Sequence, residues 1–364
     1  MDSLTIVPGL ETQGKLGLVI GILGLKTFIS TLAPMPSIEY QLPETLAELL
    51  NFKNGNFSIK QWIIEHATQV HSLLVPSYQI LGIFTNSTEN LFEKKSLHPL
   101  SQEISSLLKS IHKVTQHKFL LHLHLDVNKG LKPIARVLNF IDNGNAVVPV
   151  NEGKIPMLCW LNCKVPILLD FSNDEIGKID DVLMVWDEIV KESVVKFVDS
   201  KKITSVEQPV HIYTKTPCKN LKNPYMRIKG LIESRAVVCE GTSIDDAIKS
   251  VKNDLISTMK NRIFVAKMFK SNLLDESFQL PKRIFAAENP MVCDYLMEHE
   301  TTNNSIKNIK DLLGLSINEV VGSEIFKPQT RVQISEKKSY FWLMAAIGAF
   351  IVLLISLLII LVQG

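Results

Sequence analysis

Apolar residues recur along the chain in three rhythms, and each predicts a different element. The helical rhythm is clearest between residues 62 and 74, where Trp62, Ile63, His66, Ala67, Val70, Leu73 and Leu74 fall on one face. Ser58 with Gln61 three residues on reads as a capping box, and Val75-Pro76 ends the run. A second helix is predicted over 100–112, with Ile104, Leu107, Leu108 and Ile111 on its apolar side. A third, over 180–193, turns Leu183, Trp186, Ile189 and Val190 inward. The strongest follows Ser243, an N-cap residue with Asp245 and Asp246 in the first turn, where the helix dipole favours negative charge. Its buried stripe is Ile244, Ala247, Ile248, Val251, Leu255 and Met259, and Lys260 and Arg262 fall near the end that prefers positive charge.

The second rhythm is short apolar runs and alternations between turn residues, the pattern of strands. One or two strands are expected over 14–34, closed by Ala33-Pro34-Met35-Pro36, with Gly17, Gly21 and Gly24 permitting close backbone approach. Further strands are expected at 79–84, before a polar turn Thr85-Asn86-Ser87-Thr88, at 118–127, and at 131–141 before the turn Asp142-Asn143-Gly144-Asn145. Beyond that turn come a proline-broken strand at 155–169, short ones at 194–198 and 210–214, a longer one at 227–239 interrupted by Gly230, and two more at 280–285 and 291–295. Residues 37–57 follow no clear period. Strands and helices interleave throughout, so the expected class is α/β (α+β), with one domain over 1–145 and a second α/β domain over 146–298. Residues 299–339 read as a polar tether with one weak helical patch at 309–315.

The third rhythm is no alternation at all. Residues 340–362 carry no charge and no proline, and Ser356 is their one clearly polar side chain. A helix of about 20 residues crosses a hydrocarbon core of about 30 Å and satisfies its own backbone groups. Tyr340 and Trp342 sit at the interfacial level after Glu336-Lys337-Lys338, and Leu343, Ile347, Phe350, Leu354, Leu358 and Val362 would face lipid. Only Gln363 and Gly364 follow. The expectation is a single C-terminal transmembrane helix, a tail anchor, with the body in the cytosol. The apolar stretch at 16–25 is read as buried strand, because Asp2 and Glu11 stand where a signal peptide wants positive charge and Lys26 interrupts it.

Composition narrows the function class. A formal net charge of +2 leaves no nucleic-acid footprint, and 21% charged residues is globular rather than disordered. Five scattered cysteines (Cys159, Cys163, Cys218, Cys239, Cys293) suit reduced thiols better than a disulfide framework. Asn86-Ser87-Thr88 matches a glycosylation acceptor that a cytosolic body would not present to the transferase. No phosphate-binding glycine loop and no nucleophile elbow is present. The one constellation that invites a metal is His122, His124 and Asp126, alternate residues of one strand and hence on one face. The plainer reading is the solvent-facing side of an amphipathic strand whose other face is Leu121, Leu123, Leu125 and Val127. Cys159-x-x-x-Cys163 lacks a second pair at zinc-ribbon spacing, and Cys293 would need a spatially adjacent histidine to act as a nucleophile. No catalytic or cofactor-binding residues are assigned.

Three stretches, in order along the chain, carry a family resemblance. They are Trp62-Ile63-Ile64-Glu65-His66-Ala67-Thr68-Gln69-Val70 with Leu81-Gly82-Ile83-Phe84; Ile228-Lys229-Gly230 with Arg235-Ala236, Asp246-Ala247-Ile248-Lys249, Val251-Lys252, Asp254-Leu255 and Arg262; and Leu280-Pro281, Arg283-Ile284-Phe285 and Cys293-Asp294-Tyr295. The chain resembles the odorant-response-abnormal "odr-four" proteins, membrane proteins implicated in the trafficking of certain G-protein-coupled receptors. The resemblance implies a first domain of the metalloprotease-type MPN fold that has lost catalysis. Catalytic members of that fold carry His-x-His-Pro after a glycine-containing strand, whereas here Leu81-Gly82-Ile83-Phe84 runs into Thr85-Asn86-Ser87-Thr88. It also implies a partner, the protease that processes the ubiquitin-fold modifier, held at the endoplasmic reticulum.

Two functions are therefore expected to compete. The first is a non-enzymatic adaptor in the endoplasmic reticulum membrane that assists maturation of membrane proteins such as G-protein-coupled receptors. Its anchor would raise the effective concentration of partners in the bilayer. The alternative is a membrane-tethered metal-dependent hydrolase using His122, His124 and Asp126.

Overall fold

The computed structural model describes residues 4–8, 14–22, 27–36, 42–88, 99–126, 132–142, 144–154, 157–171, 179–197, 207–213, 226–269, 280–289 and 291–326. The expected membrane anchor, Gly24 and Cys218 lie outside them.

The first half is β1 (Leu4–Ile6), β2 (Leu16–Ile22), β3 (Thr27–Pro34), α1 (Leu46–Asn51), the short hairpin β4 (Lys53–Asn54) and β5 (Phe57–Ser58), α2 (Ile59–Leu73), β6 (Tyr78–Ser87), α3 (Pro99–Thr115), β7 (Phe119–Asp126), β8 (Lys132–Asn139), β9 (Asn145–Val148) and β10 (Val150–Glu152). Eight of these strands form one sheet in the order β10-β1-β3-β2-β6-β7-β8-β9. β10 also meets β8, so the sheet rolls back on itself. Strand alternation then sorts the side chains. Leu4, Val19, Ile29, Phe84, Leu123 and Ala135 pack together inside the roll, in a cluster whose every member is a strand residue. Outward-facing Leu18, Ile20, Ile83 and Leu120 meet α1, α2 and α3.

Of the one or two strands expected over 14–34, two form, and the glycines of the first do what their lack of a side chain allows. A Cβ on Gly17 would stand 2.2 Å from the Ala33 carbonyl oxygen, and one on Gly21 would stand 1.9 Å from that of Phe28. Two local readings are corrected. Thr85-Asn86-Ser87 is not a turn but the end of β6, paired in parallel with His124-Leu125-Asp126. Ser58 occupies the N-cap of α2 with extended backbone but makes no side-chain cap bond, and Gln61 donates forward to Glu65 (3.1 Å) rather than reaching back.

The second half is β11 (Leu158–Phe171), α4 (Ile179–Glu192), β12 (Val194–Phe197), β13 (Glu207–Tyr213), β14 (Met226–Cys239), α5 (Ile244–Phe269), β15 (Lys282–Ala286), β16 (Cys293–Leu296), α6 (Thr302–Leu313), β17 (Val320–Val321) and β18 (Ile325–Phe326). A five-stranded sheet runs β12-β13-β11-β14-β18, with α4 and α5 packed on it. β11 and β14 pair without a break from Leu158↔Cys239 to Phe171↔Met226. Pro166 does not interrupt β11: β13 pairs only with residues 160–162, so the proline sits where that side of the strand has no ladder to lose.

The halves share a core. Val237 of β14, Phe285 and Cys293 of the three-stranded sheet β16-β15-β17, and Val292 just before β16 belong to the same cluster as Leu18 and Ile63. The largest departure from expectation follows residue 298. Residues 302–326 are not a polar tether: Ile309 and Leu313 of α6 are buried in that shared core. Most of α6 is polar because only one narrow stripe faces inward, so its average polarity concealed the buried side.

Candidate functional site

His122, His124 and Asp126 do share one face of β7, and that face is the one turned towards the helices. All three are buried. The opposite face, Leu121, Leu123 and Leu125, lies inside the rolled sheet. Thr85, itself fully buried, stands across from His124 on β6. Its Oγ1 lies 2.7 Å from His122 Nε2 and 3.1 Å from His124 Nδ1. A hydroxyl has one proton and two lone pairs, so it can donate to one imidazole and accept from the other, consistent with two neutral rings. Burial, with His124 and Arg136 adding repulsion, lowers the His122 imidazole to about 3. The solvent-facing reading is therefore corrected. Among the described residues no three His, Cys, Asp or Glu side chains are arranged to hold a metal ion.

The thiols are equally enclosed. Cys159 and Cys163 are buried on one side of β11, and burial pushes Cys163 up to about 12, so it stays protonated at neutral pH. Cys293 is buried, and burial raises its thiol despite the opposing Arg283 guanidinium. The described cysteines are all free thiols.

A polar cluster that local sequence patterns do not assign lies at the seam between the sheets. Asp254, Thr258 and Arg262 recur every fourth residue on the buried side of α5. Asp254 accepts from Arg283 Nη1 through both oxygens (2.9 Å each), from Ser234 Oγ (2.7 Å) and from Arg235 N (3.0 Å). Arg262 pairs with Glu324, whose oxygens also accept from Glu233 N (2.7 Å) and Arg283 N (2.6 Å). Burial works against a charged Arg283, but Asp254, with Cys293 and Tyr295 adding to it, together outweigh burial and hold the guanidinium well above its ordinary range. Arg262 was expected to serve the helix dipole; instead it is fully buried and clamps the segment before β18. The available signal was the four-residue polar period inside an apolar stripe.

An open groove remains, with a volume of about 610 Å³. Glu65 and Gln69 of α2, Asn304 and Asn308 of α6, Asp294 of β16 and Phe264 of α5 line it. Phe264 is 48% exposed. α2 and α6 are pinned to each other, and α2 to α5: His66 Nε2 lies 2.6 Å from the Leu312 carbonyl oxygen, and Asn261 donates to the Ser72 carbonyl (3.4 Å). Burial raises the Asp294 carboxyl, which accepts from neutral groups, Tyr295 N (2.8 Å) and Asn308 Nδ2 (3.1 Å). Among the described residues the lining holds three carboxylates, Glu65, Asp294 and Glu300, and no lysine, arginine or histidine.

The expected anchor residues, Tyr340, Trp342, Leu343, Ile347, Phe350, Leu354, Leu358 and Val362, lie outside the described residues. Among the described residues no helix is long and apolar enough to cross a membrane.

Comparison with known proteins gives three findings. The family model ODR4-like, odorant response abnormal 4-like, matches residues 17–155 and 158–321. The chain is similar to the "Protein odr-4 homolog" of Dictyostelium discoideum, 23% identical over 366 residues, covering 86% of this chain and 79% of that one. It also aligns with a crystal structure of UfSP from C. elegans at a TM-score of 0.41 and 10% identity, over 84% of this chain and 54% of that one.

Proposed function

Because the chain belongs to the odorant response abnormal 4-like family, we propose that it acts by binding rather than catalysis, as a membrane-anchored adaptor for membrane-protein trafficking. The family match across both halves is the observation that carries this reading, and a trafficking role fits it. The buried chemistry supports it: Thr85, His122 and His124 are spent on one another, and the Cys163 and Cys293 thiols are enclosed. The first domain reads as an MPN-like fold without its metal site, because β6 carries Thr85 after Leu81-Gly82-Ile83-Phe84, where a catalytic member would bring histidine. The clients are membrane proteins such as G-protein-coupled receptors. The endoplasmic reticulum is the proposed membrane, and the protease of the ubiquitin-fold modifier a proposed partner there.

The reading is tested by deleting residues 340–362 and following both the protein and a receptor client. The full chain should sediment with microsomes and support delivery of the receptor to the surface. The truncated chain should appear in the soluble fraction and lose delivery. A truncated chain that stays on membranes, or delivery that proceeds unchanged without the full protein, defeats the proposal.

A further inference from the structure

We infer that the groove between α2 and α6 docks a basic peptide segment of a client, a lysine or arginine flanked by an apolar residue. The argument starts from charge. Three carboxylates line a concave surface that, among the described residues, carries no cationic side chain. Asp294 accepts from a backbone N–H and an amide, both neutral. A cation entering the groove would meet a site already arranged for it, because α2 and α6 are tied through His66 and Leu312. Little ordering would then be needed on binding.

Phe264 supplies the second half of the recognition. A large aromatic 48% exposed and lining the same groove as the carboxylates suits a lysine or arginine, whose apolar stem lies on the ring while the charged head reaches past it. A free metal cation would use the carboxylates but not the ring, and an acidic peptide would be repelled. The volume of about 610 Å³ accommodates two or three side chains rather than a folded domain. Membrane spans carry an excess of lysine and arginine in their cytoplasmic flanks. That the segment belongs to such a client rests on the adaptor reading; that the groove takes a basic segment does not.

Two surface substitutions test it without touching the core, since Glu65 is exposed and Phe264 half-exposed. Full-length protein in detergent micelles is titrated into a fluorescein-labelled peptide with two arginines beside a leucine, and into the same peptide with glutamates for the arginines. The arginine peptide should bind saturably and weaken with added salt, and the glutamate peptide should not bind. Glu65→Lys should weaken the arginine peptide at least about tenfold by placing a like charge in the groove, and Phe264→Ser should also weaken it, with the thermal midpoint of both variants unchanged. Absence of saturable binding, equal binding of the glutamate peptide, or undiminished binding to Glu65→Lys would overturn the inference. So would a dimer closed through this groove that the arginine peptide does not disperse. If peptide binding fails while the full chain still reaches membranes and delivers its receptor, the inference falls alone and the adaptor reading survives.

Discussion

Arg283 shows how much one buried side chain can carry. Its guanidinium faces Asp254, and its backbone N–H holds Glu324, so the same residue serves both halves of the polar seam. Removing one partner of a buried ion pair leaves a charge without compensation and costs about 3–5 kcal/mol. Arg283→Met should therefore lower the urea midpoint sharply at pH 7, and the double variant Asp254→Leu/Arg283→Met should recover a good part of the loss. Gly82 is constrained by space rather than charge. A Cβ there would stand 1.8 Å from the Leu121 carbonyl oxygen on the neighbouring strand, so Gly82→Ala forces β6 and β7 apart. A loss of at least about 2 kcal/mol is expected in the same measurement. The glycine was visible in the sequence as part of a strand, but the carbonyl it makes room for lies 39 positions away by number, on Leu121, and no local pattern points to it.

At the scale of elements, α2 and α6 make the instructive contrast. The face of α2 was legible because its apolar residues cover enough of the helix to set a period, and His66 was correctly grouped with them, being buried against Leu312. α6 was legible only as a weak patch, since Asn303, Asn304, Lys307, Asn308, Lys310 and Asp311 outnumber the inward Ile309 and Leu313. Yet those two fill the shared core, and the segment after them delivers Glu324 to Arg262. A chain ended after residue 298 should lose its cooperative unfolding and be cut rapidly by trypsin within the remaining body, where a dispensable tether would leave that body resistant. The single substitution Ile309→Ala, in full-length protein, should cost about 2–5 kcal/mol for the cavity it opens.

For the whole molecule, the buried histidines set a dependence on acid. His122 is lowered to about 3 from an ordinary 6.5 by burial, then by His124 and Arg136, and burial lowers His66 in the same direction. The unfolded chain takes up these protons near pH 6.5 while the native state refuses them, so stability is complete above that pH and falls as pH drops towards 3. His122 alone accounts for up to about 1.4 kcal/mol per pH unit in that window, and a falling urea midpoint between pH 7 and pH 5 would show it; a flat profile would not fit neutral buried rings. What the sequence determined by itself was whatever depends on near neighbours along the chain: the helical faces, most strands, the close-packing glycines of β2, and a charge-free run of membrane-spanning length at 340–362. Only tertiary structure decided what depends on residues far apart: that the polar face of β7 meets Thr85 instead of water, that Arg262 answers Glu324, and that the two halves close over one core. The reason is physical. Periodicity records which side of an element faces inward, but a buried polar group is stable only with its particular partner, and that partner is chosen by how the sheets and helices come together.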